Sequence, residues 1–225
     1  MAAQTSPVTF EVFYGVSSPW ATFGAPRARE IARKHNLPLI LRPILLIEAN
    51  GGIPLRTRPV ARQNYHALEL SRWAARLNFP LNGKPKFYPL PPRAIEISAQ
   101  AIIRFQFKYG VGDDRVLDFS ERVQRLLWVE EGNIGDLESL RKVARTVKGI
   151  DEADVLEIVV DKRDVEDDEA VKQWKKNFED AETLGIFGTP TYAVNGEIFW
   201  GMDRLDFVDE EITKLLAHAR GSESS

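Results

Sequence analysis

Val8, Phe10, Val12 and Tyr14 alternate along one face of the chain, and the run gives way at Gly15 to Ser17-Ser18-Pro19-Trp20. The alternation predicts a strand over residues 9–14. Gly15 lets the chain turn. Ser18 is a residue type that caps a helix through its side-chain oxygen, and Pro19 suits the first helical position, where no N–H is needed. A strand therefore delivers a hydroxyl to the start of a helix, where unpaired N–H groups and the helix dipole favour an anion. Such a place holds a thiolate, a phosphate or a carboxylate, or is simply a cap.

From Pro19 a helix is expected to about residue 35, with Trp20, Phe23, Ala28, Ile31 and Ala32 on its apolar side and a kink at Pro26. Asn36 ends it, and residues 37–42 read as a second strand. Strand, helix and strand in so short a span form a βαβ unit, with the two strands parallel and adjacent. Residues 43–60 carry Gly51, Gly52 and several prolines and read as irregular. Helical periodicity then recurs over 63–77, 95–109, 116–130, 136–147, 151–160 and 168–184, interrupted by a proline-rich segment at 78–93. After that the period returns to two. Residues 191–194 and 197–200 flank Asn195-Gly196, a strong hairpin signal because both turn positions need positive φ. Asp203 reads as the N-cap of a last helix, whose apolar face is Leu205, Val208, Ile212, Leu215 and Leu216.

A chain of 225 residues holds one large domain or two small ones. Its net charge of −3 gives no reason to expect nucleic acid as a partner. There is no cysteine, so disulfides, thiolate metal sites and dithiol redox chemistry are excluded. The N-terminus does not read as a secretory leader, and no stretch approaches a membrane span. The expectation is an intracellular, most simply cytoplasmic protein, with mitochondrial and peroxisomal locations open.

Without the helical stretch the order is βαβ followed by ββα, the minimal thioredoxin-like layout. The expected fold class is α/β, a thioredoxin-like fold formed by residues 1–61 and 185–225 with a large all-helical domain inserted over 62–184. Ser18-Pro19, Gly188-Thr189-Pro190 and Phe199-Trp200-Gly201-Met202-Asp203-Arg204 resemble the kappa-class glutathione transferases. They resemble the 2-hydroxychromene-2-carboxylate isomerases, within the DsbA-like group, more closely still. Arg72-Trp73-Ala74 and Phe79-Pro80 also follow the isomerase pattern.

That resemblance implies a glutathione-dependent isomerase or transferase, and a homodimer. It makes Ser18 the catalytic residue: its hydroxyl stabilises the glutathione thiolate where a DsbA-like enzyme carries a cysteine. A free thiol titrates near 8.5, so only about 3% is thiolate at neutral pH. A charge-assisted hydrogen bond and the dipole would make a large fraction thiolate. Pro19 and Trp20 would line the sulfur's pocket, and Asn50 would make a further glutathione contact. Thr189, before a cis Pro190, would pair its backbone with the cysteinyl unit. Met202 and Asp203 would meet the γ-glutamyl end. The chain departs from the pattern at Gly15, where an acid is common, and at Trp20, where Tyr or Phe is usual.

Two other classes stay open. One is a redox-inactive thioredoxin-like module that binds a peptide or partner without chemistry. The other is a hydrolase using Ser18 as nucleophile, although His35, His66 and His218 sit in no triad-like motif. Arg56, Arg58 and Arg62 read as solvated surface that can steer a carboxylate. Trp128 and Trp174 read as core.

Overall fold

The structure is a computed structural model that describes residues 8–222. The first seven residues, on which the absence of a leader was read, lie outside it, as does the end of the polar tail. Four strands form one mixed sheet: β1 (Phe10–Tyr14), β2 (Leu39–Pro43), β3 (Thr191–Val194) and β4 (Glu197–Trp200), in the order β2-β1-β3-β4. β1 and β2 are parallel, with Phe10 opposite Leu39, as the βαβ reading requires. β3 runs antiparallel to β1, with Phe13 opposite Thr191, and β4 antiparallel to β3. The hairpin turns at Asn195 (φ 48°) and Gly196 (φ 86°), both left-handed, matching the twist of the flanking strands. β1 and β3 are central and almost wholly buried.

α1 (Pro19–His35) connects β1 to β2. Asn36 closes it in the left-handed conformation, donating its N–H to Ala32 and Arg33 carbonyls. The helix runs through Pro26. It lies close against β3 because the contact residue is glycine: a β-carbon on Gly24 would stand 2.2 Å from the Tyr192 hydroxyl. α8 (Leu205–Ser222) packs beside α1, with the Asp209 carboxylate held by Lys34 (2.8 Å) and His35 (2.6 Å).

Between β2 and β3 lie α2 (Val60–Arg76), α3 (Pro92–Tyr109), α4 (Asp114–Trp128), α5 (Leu137–Arg145), α6 (Glu152–Ile158) and α7 (Glu169–Thr183). Four of them start at an aspartate whose carboxylate accepts first-turn N–H groups: Asp113, Asp136, Asp151 and Asp168. β2 is an edge strand, and the helices cover its open side. The buried Gln106 amide of α3 accepts from Leu41 N–H (3.0 Å) and donates to Leu41 C=O (2.9 Å), as a neighbouring strand would. Asn177 of α7 donates to Pro43 C=O (3.1 Å). Apolar packing runs without a break from β1 through α3, α4, α5 and α6, with Trp128 and Trp174 inside it. α2 stands apart: of its seventeen residues only Leu70 is buried.

Three helix onsets depart from the periodicity, and α4, α5 and α6 end two residues before it does. α2 starts at Val60 rather than 63, α3 at Pro92 rather than 95, and α4 at Asp114 rather than 116. In each case the polar or proline-led first turn carries no apolar repeat.

Candidate active site

The start of α1 is built as the sequence predicts. Ser18 is the N-cap, in extended conformation, and its Oγ accepts from Ala21 N–H at 3.3 Å, a long bond. Pro19 is the first helical residue. The first turn contains no acidic side chain, so its positive end is not neutralised from within. Ser18 is hydrogen-bonded to no histidine among the described residues: His35 pairs with Asp209 and His66 with Trp20. The general base a serine nucleophile needs is missing.

The turn before β3 lies directly opposite. Thr189-Pro190 is a cis peptide. A β-carbon placed on Gly15 would lie 3.5 Å from Thr189 Oγ1 and 3.6 Å from Ser18 Cβ, so the two side chains converge over that glycine. Neither the N–H nor the C=O of half-buried Thr189 is bonded to another described residue. Just before a sheet in which β3 is paired on both sides, this leaves one residue with a free donor and a free acceptor.

Met202 and Asp203 approach from the other side. Gly201 N–H donates to Pro190 C=O (2.9 Å), tying this segment to the cis-proline turn. Met202 is buried against Phe23 and Leu70. Asp203 is not the N-cap of α8, contrary to expectation. One turn of 3-10 helix (Met202–Arg204) precedes α8, and Gly201 occupies its cap. The Asp203 side chain folds back over Gly201, whose φ of 103° and lack of a β-carbon leave the room, and pairs loosely with Arg204 at 3.6 Å. The carboxylate is exposed, and the N–H groups of Met202 and Asp203 make no hydrogen bond within the described chain.

Asn50 supports this arrangement from behind. Its amide donates to the carbonyls of Glu182 (3.0 Å) and Ile186 (3.1 Å), joining its loop to the end of α7 and to the segment leading into the cis-proline turn. With its N–H groups so engaged, only Oδ1 remains to face a ligand.

A cleft of about 400 Å³ opens beside Trp20, two residues along α1 from Ser18. Its other wall is the start of α2, where Arg62, His66 and Glu69 fall on one helical face, together with Tyr65 and Arg58. The Trp20 indole N–H donates to His66 Nε2 at 3.0 Å, and the rings meet edge to face. An acceptor at Nε2 means that the proton is on Nδ1. Burial, and after it the Arg58 guanidinium, lowers the His66 pKa below the usual imidazole value.

The profile of the DSBA-like thioredoxin domain matches residues 9–213. The chain belongs to the DsbA-like thioredoxin family. It is 26% identical over 206 residues to the 2-hydroxychromene-2-carboxylate isomerase of Sphingobium xenophagum, spanning 89% of this chain and 96% of that protein. Its structure is similar to that of a 2-hydroxychromene-2-carboxylate isomerase, with TM-score 0.69, 20% identity, and coverage of 96% of this chain and 98% of the other. It is also similar in fold to the cytosolic disulfide reductase DsbM of Pseudomonas aeruginosa solved with GSH, with TM-score 0.59, 18% identity, and coverage of 94% and 98%.

As a DsbA-like protein without cysteine, this chain presents a hydroxyl and backbone groups at the helix start. The thioredoxin-like fold class with helices between its second and third strands is borne out, and so are the cis Pro190, the Ser18 cap and the two buried tryptophans. Sequence reasoning missed the partnership of Trp20 with His66. The spacing of Arg62, His66 and Glu69 puts those three on one helical face, but nothing in it points to Trp20.

Proposed function

We propose that this chain is a glutathione-dependent isomerase acting on a conjugated, electrophilic small molecule of the aromatic-carboxylate kind. The observation that carries the reading is the convergence of the Ser18 hydroxyl, at an uncompensated helix start, with the unpaired backbone of Thr189 beside cis Pro190. The isomerase likeness along nearly the whole chain supports it.

The residues present fit glutathione, a tripeptide with a thiol at its centre. Thr189 offers a strand-like donor and acceptor to the cysteinyl backbone. The free N–H groups of Met202 and Asp203 suit the γ-glutamyl carboxylate, and the exposed Asp203 carboxylate suits its ammonium. Oδ1 of Asn50 is the one atom of that side chain left for a contact. Pro19 and Trp20 form the apolar surface next to Ser18. When bound, glutathione supplies the nucleophilic sulfur that the polypeptide lacks. Ser18 donates a hydrogen bond to the thiolate and the first turn of α1 adds its dipole, so the sulfur stays ionised without a basic side chain. Residues 1–61 and 185–225 would carry this chemistry as the thioredoxin-like part, with 62–184 supplying the substrate wall. The homodimer belongs to the same proposal.

Calorimetry with glutathione and with S-methylglutathione, followed by turnover of 2-hydroxychromene-2-carboxylate with and without glutathione, tests this reading. The expected result is micromolar to millimolar glutathione binding, thiolate absorbance at neutral pH and glutathione-dependent turnover. Absence of glutathione binding overturns it and leaves a peptide-binding module as the better account.

A further inference from the structure

The cleft between Trp20 and α2 has its own chemistry, separate from the convergence of Ser18 with Thr189. Its charged and titratable groups are Arg58, Arg62, Tyr65, His66 and Glu69, faced by Trp20 from α1. The Glu69 carboxylate is taken by Arg72 at 2.6 Å. The Arg62 guanidinium has no partner among the described residues, and the Arg58 guanidinium donates only to the Ile53 carbonyl (2.8 and 3.0 Å). Two guanidiniums without a carboxylate partner therefore border the cleft.

Trp20 adds a constraint that charge alone does not. Indole nitrogen donates and never accepts, so its bond to His66 Nε2 excludes both the Nε2–H tautomer and the imidazolium while it persists. The Nδ1–H group is thereby held as a neutral donor, and no described protein acceptor binds it. The geometry points to an oxyanion subsite in this cleft, in which His66 Nδ1–H donates to a phenolate or enolate oxygen of the ligand while Arg58 and Arg62 supply the positive field. No proton moves in this role: a neutral imidazole is far too weak an acid to surrender Nδ1–H. It polarises the oxygen and leaves it ionised. An imidazolium in the same place would protonate the oxygen. Burial beside Arg58 acts in the same direction, because it disfavours the charged ring.

The subsite rests on the reading of this end of α1 as the active site, but its test needs no glutathione. A negative result here and failure of glutathione to bind are thus separate observations. The probe is 4-nitrophenol, whose ionised form absorbs in the visible, titrated against the intact protein near neutral pH. Binding is expected to favour the phenolate and to lower the apparent pKa of the bound phenol. His66→Phe and Trp20→Phe should each weaken phenolate binding about tenfold: the first removes the donor, the second releases the tautomer. Nitrogen NMR of His66 should show Nδ1–H in the free protein, and the proportion of Nε2–H should rise in Trp20→Phe. Arg62→Gln should weaken phenolate and benzoate alike, whereas His66→Phe should affect phenolate more. An Nε2–H tautomer in the wild-type protein overturns the proposal. So does phenolate binding that survives both aromatic substitutions and disappears only with Arg62→Gln, since the cleft is then a simple cationic surface.

Discussion

Replacing Ser18 by alanine removes one oxygen that caps α1 and, on the proposed function, would also donate to a bound thiolate, and the two effects differ in size. As a cap, Oγ accepts from Ala21 N–H at 3.3 Å. That bond is long, so its loss belongs at the lower end of the usual ~0.5–2 kcal/mol for a missing cap. For a chain of this length a loss of 1 kcal/mol moves Tm by about 2–4 °C, so a small drop is expected. As a donor to a bound thiolate the same oxygen is worth more, about 1.5–3 kcal/mol for a hydrogen bond to a charged group. At about 1.36 kcal/mol per pKa unit, the bound thiol should titrate about one to two units higher in Ser18→Ala. If it returns to about 8.5, only about a tenth is ionised at pH 7.5. The assay is the ultraviolet thiolate band of the glutathione complex against pH. Ser18→Gly separates the two jobs, because glycine caps within a few tenths of a kcal/mol of serine yet has no donor. It should keep Tm close to wild type and shift the thiol as far as alanine does. A titration midpoint unmoved by both substitutions, with glutathione still bound, refutes the role of Ser18.

The fold makes further predictions. Gln106→Leu strips both bonds from Leu41 and leaves a buried N–H and C=O unsatisfied; urea unfolding should show a loss of about 2–4 kcal/mol. Gly24→Ala puts a methyl 2.2 Å from Tyr192 Oη and 2.9 Å from Met202 Cβ; a loss of about 1–3 kcal/mol is expected, with partial recovery in the double variant with Tyr192→Phe, both read from thermal melts. Asp168 is partly buried, which works against its charge, but its bonds to Arg104 (2.8 Å) and to the first N–H groups of α7 bring its pKa below the usual carboxylate value. A lowered folded-state pKa means stability that is present above about pH 4 and is lost as pH falls through the folded value. Asp168→Asn should therefore flatten the acid limb of the stability profile, and an unchanged limb would assign acid sensitivity to other carboxylates.

What could be read from the sequence was what local chemistry decides. Period two at residues 8–14, the Ser18-Pro19 start, Asn36 and Asn195-Gly196 each specify backbone conformation within a few residues, and each recurs in the structure. The aspartates at 136, 151 and 168 mark their helices in the same way, whereas Asp113 was passed over for the apolar repeat that begins at Val116. The onset of α2 was not readable, because Pro59 caps it without a side-chain bond and its first turn is exposed. Asp203 misled for a related reason: an aspartate before an apolar periodic run looks like a cap, and only the positive φ of Gly201 reveals the extra 3-10 turn. The Gln106 contact to Leu41 spans 65 residues and that of Trp20 to His66 spans 46. Neither has a local signature, since what brings the partners together is how the helices pack.

The two walls of the site are held with very different firmness, and that difference divides their roles. Ser18, Thr189 and Met202 sit on elements locked to the central strands: α1 has no spare room over Tyr192, and Gly201 is bonded to Pro190. A bulkier side chain there meets packed neighbours, as a β-carbon on Gly24 meets Tyr192. α2 buries only Leu70, and Arg62 and Tyr65 on its cleft face are exposed. Replacing exposed side chains on such a helix ordinarily changes stability by less than about 0.5 kcal/mol. The exposed residues of this wall can therefore be exchanged at little cost to the fold. His66 stands at the boundary between the two walls. It belongs to the loose wall but is fixed by an indole from the firm one, so the orientation of its free N–H is inherited from α1. On the proposed function, a site divided in this way would keep the activation of sulfur constant while the choice of electrophile varied with α2.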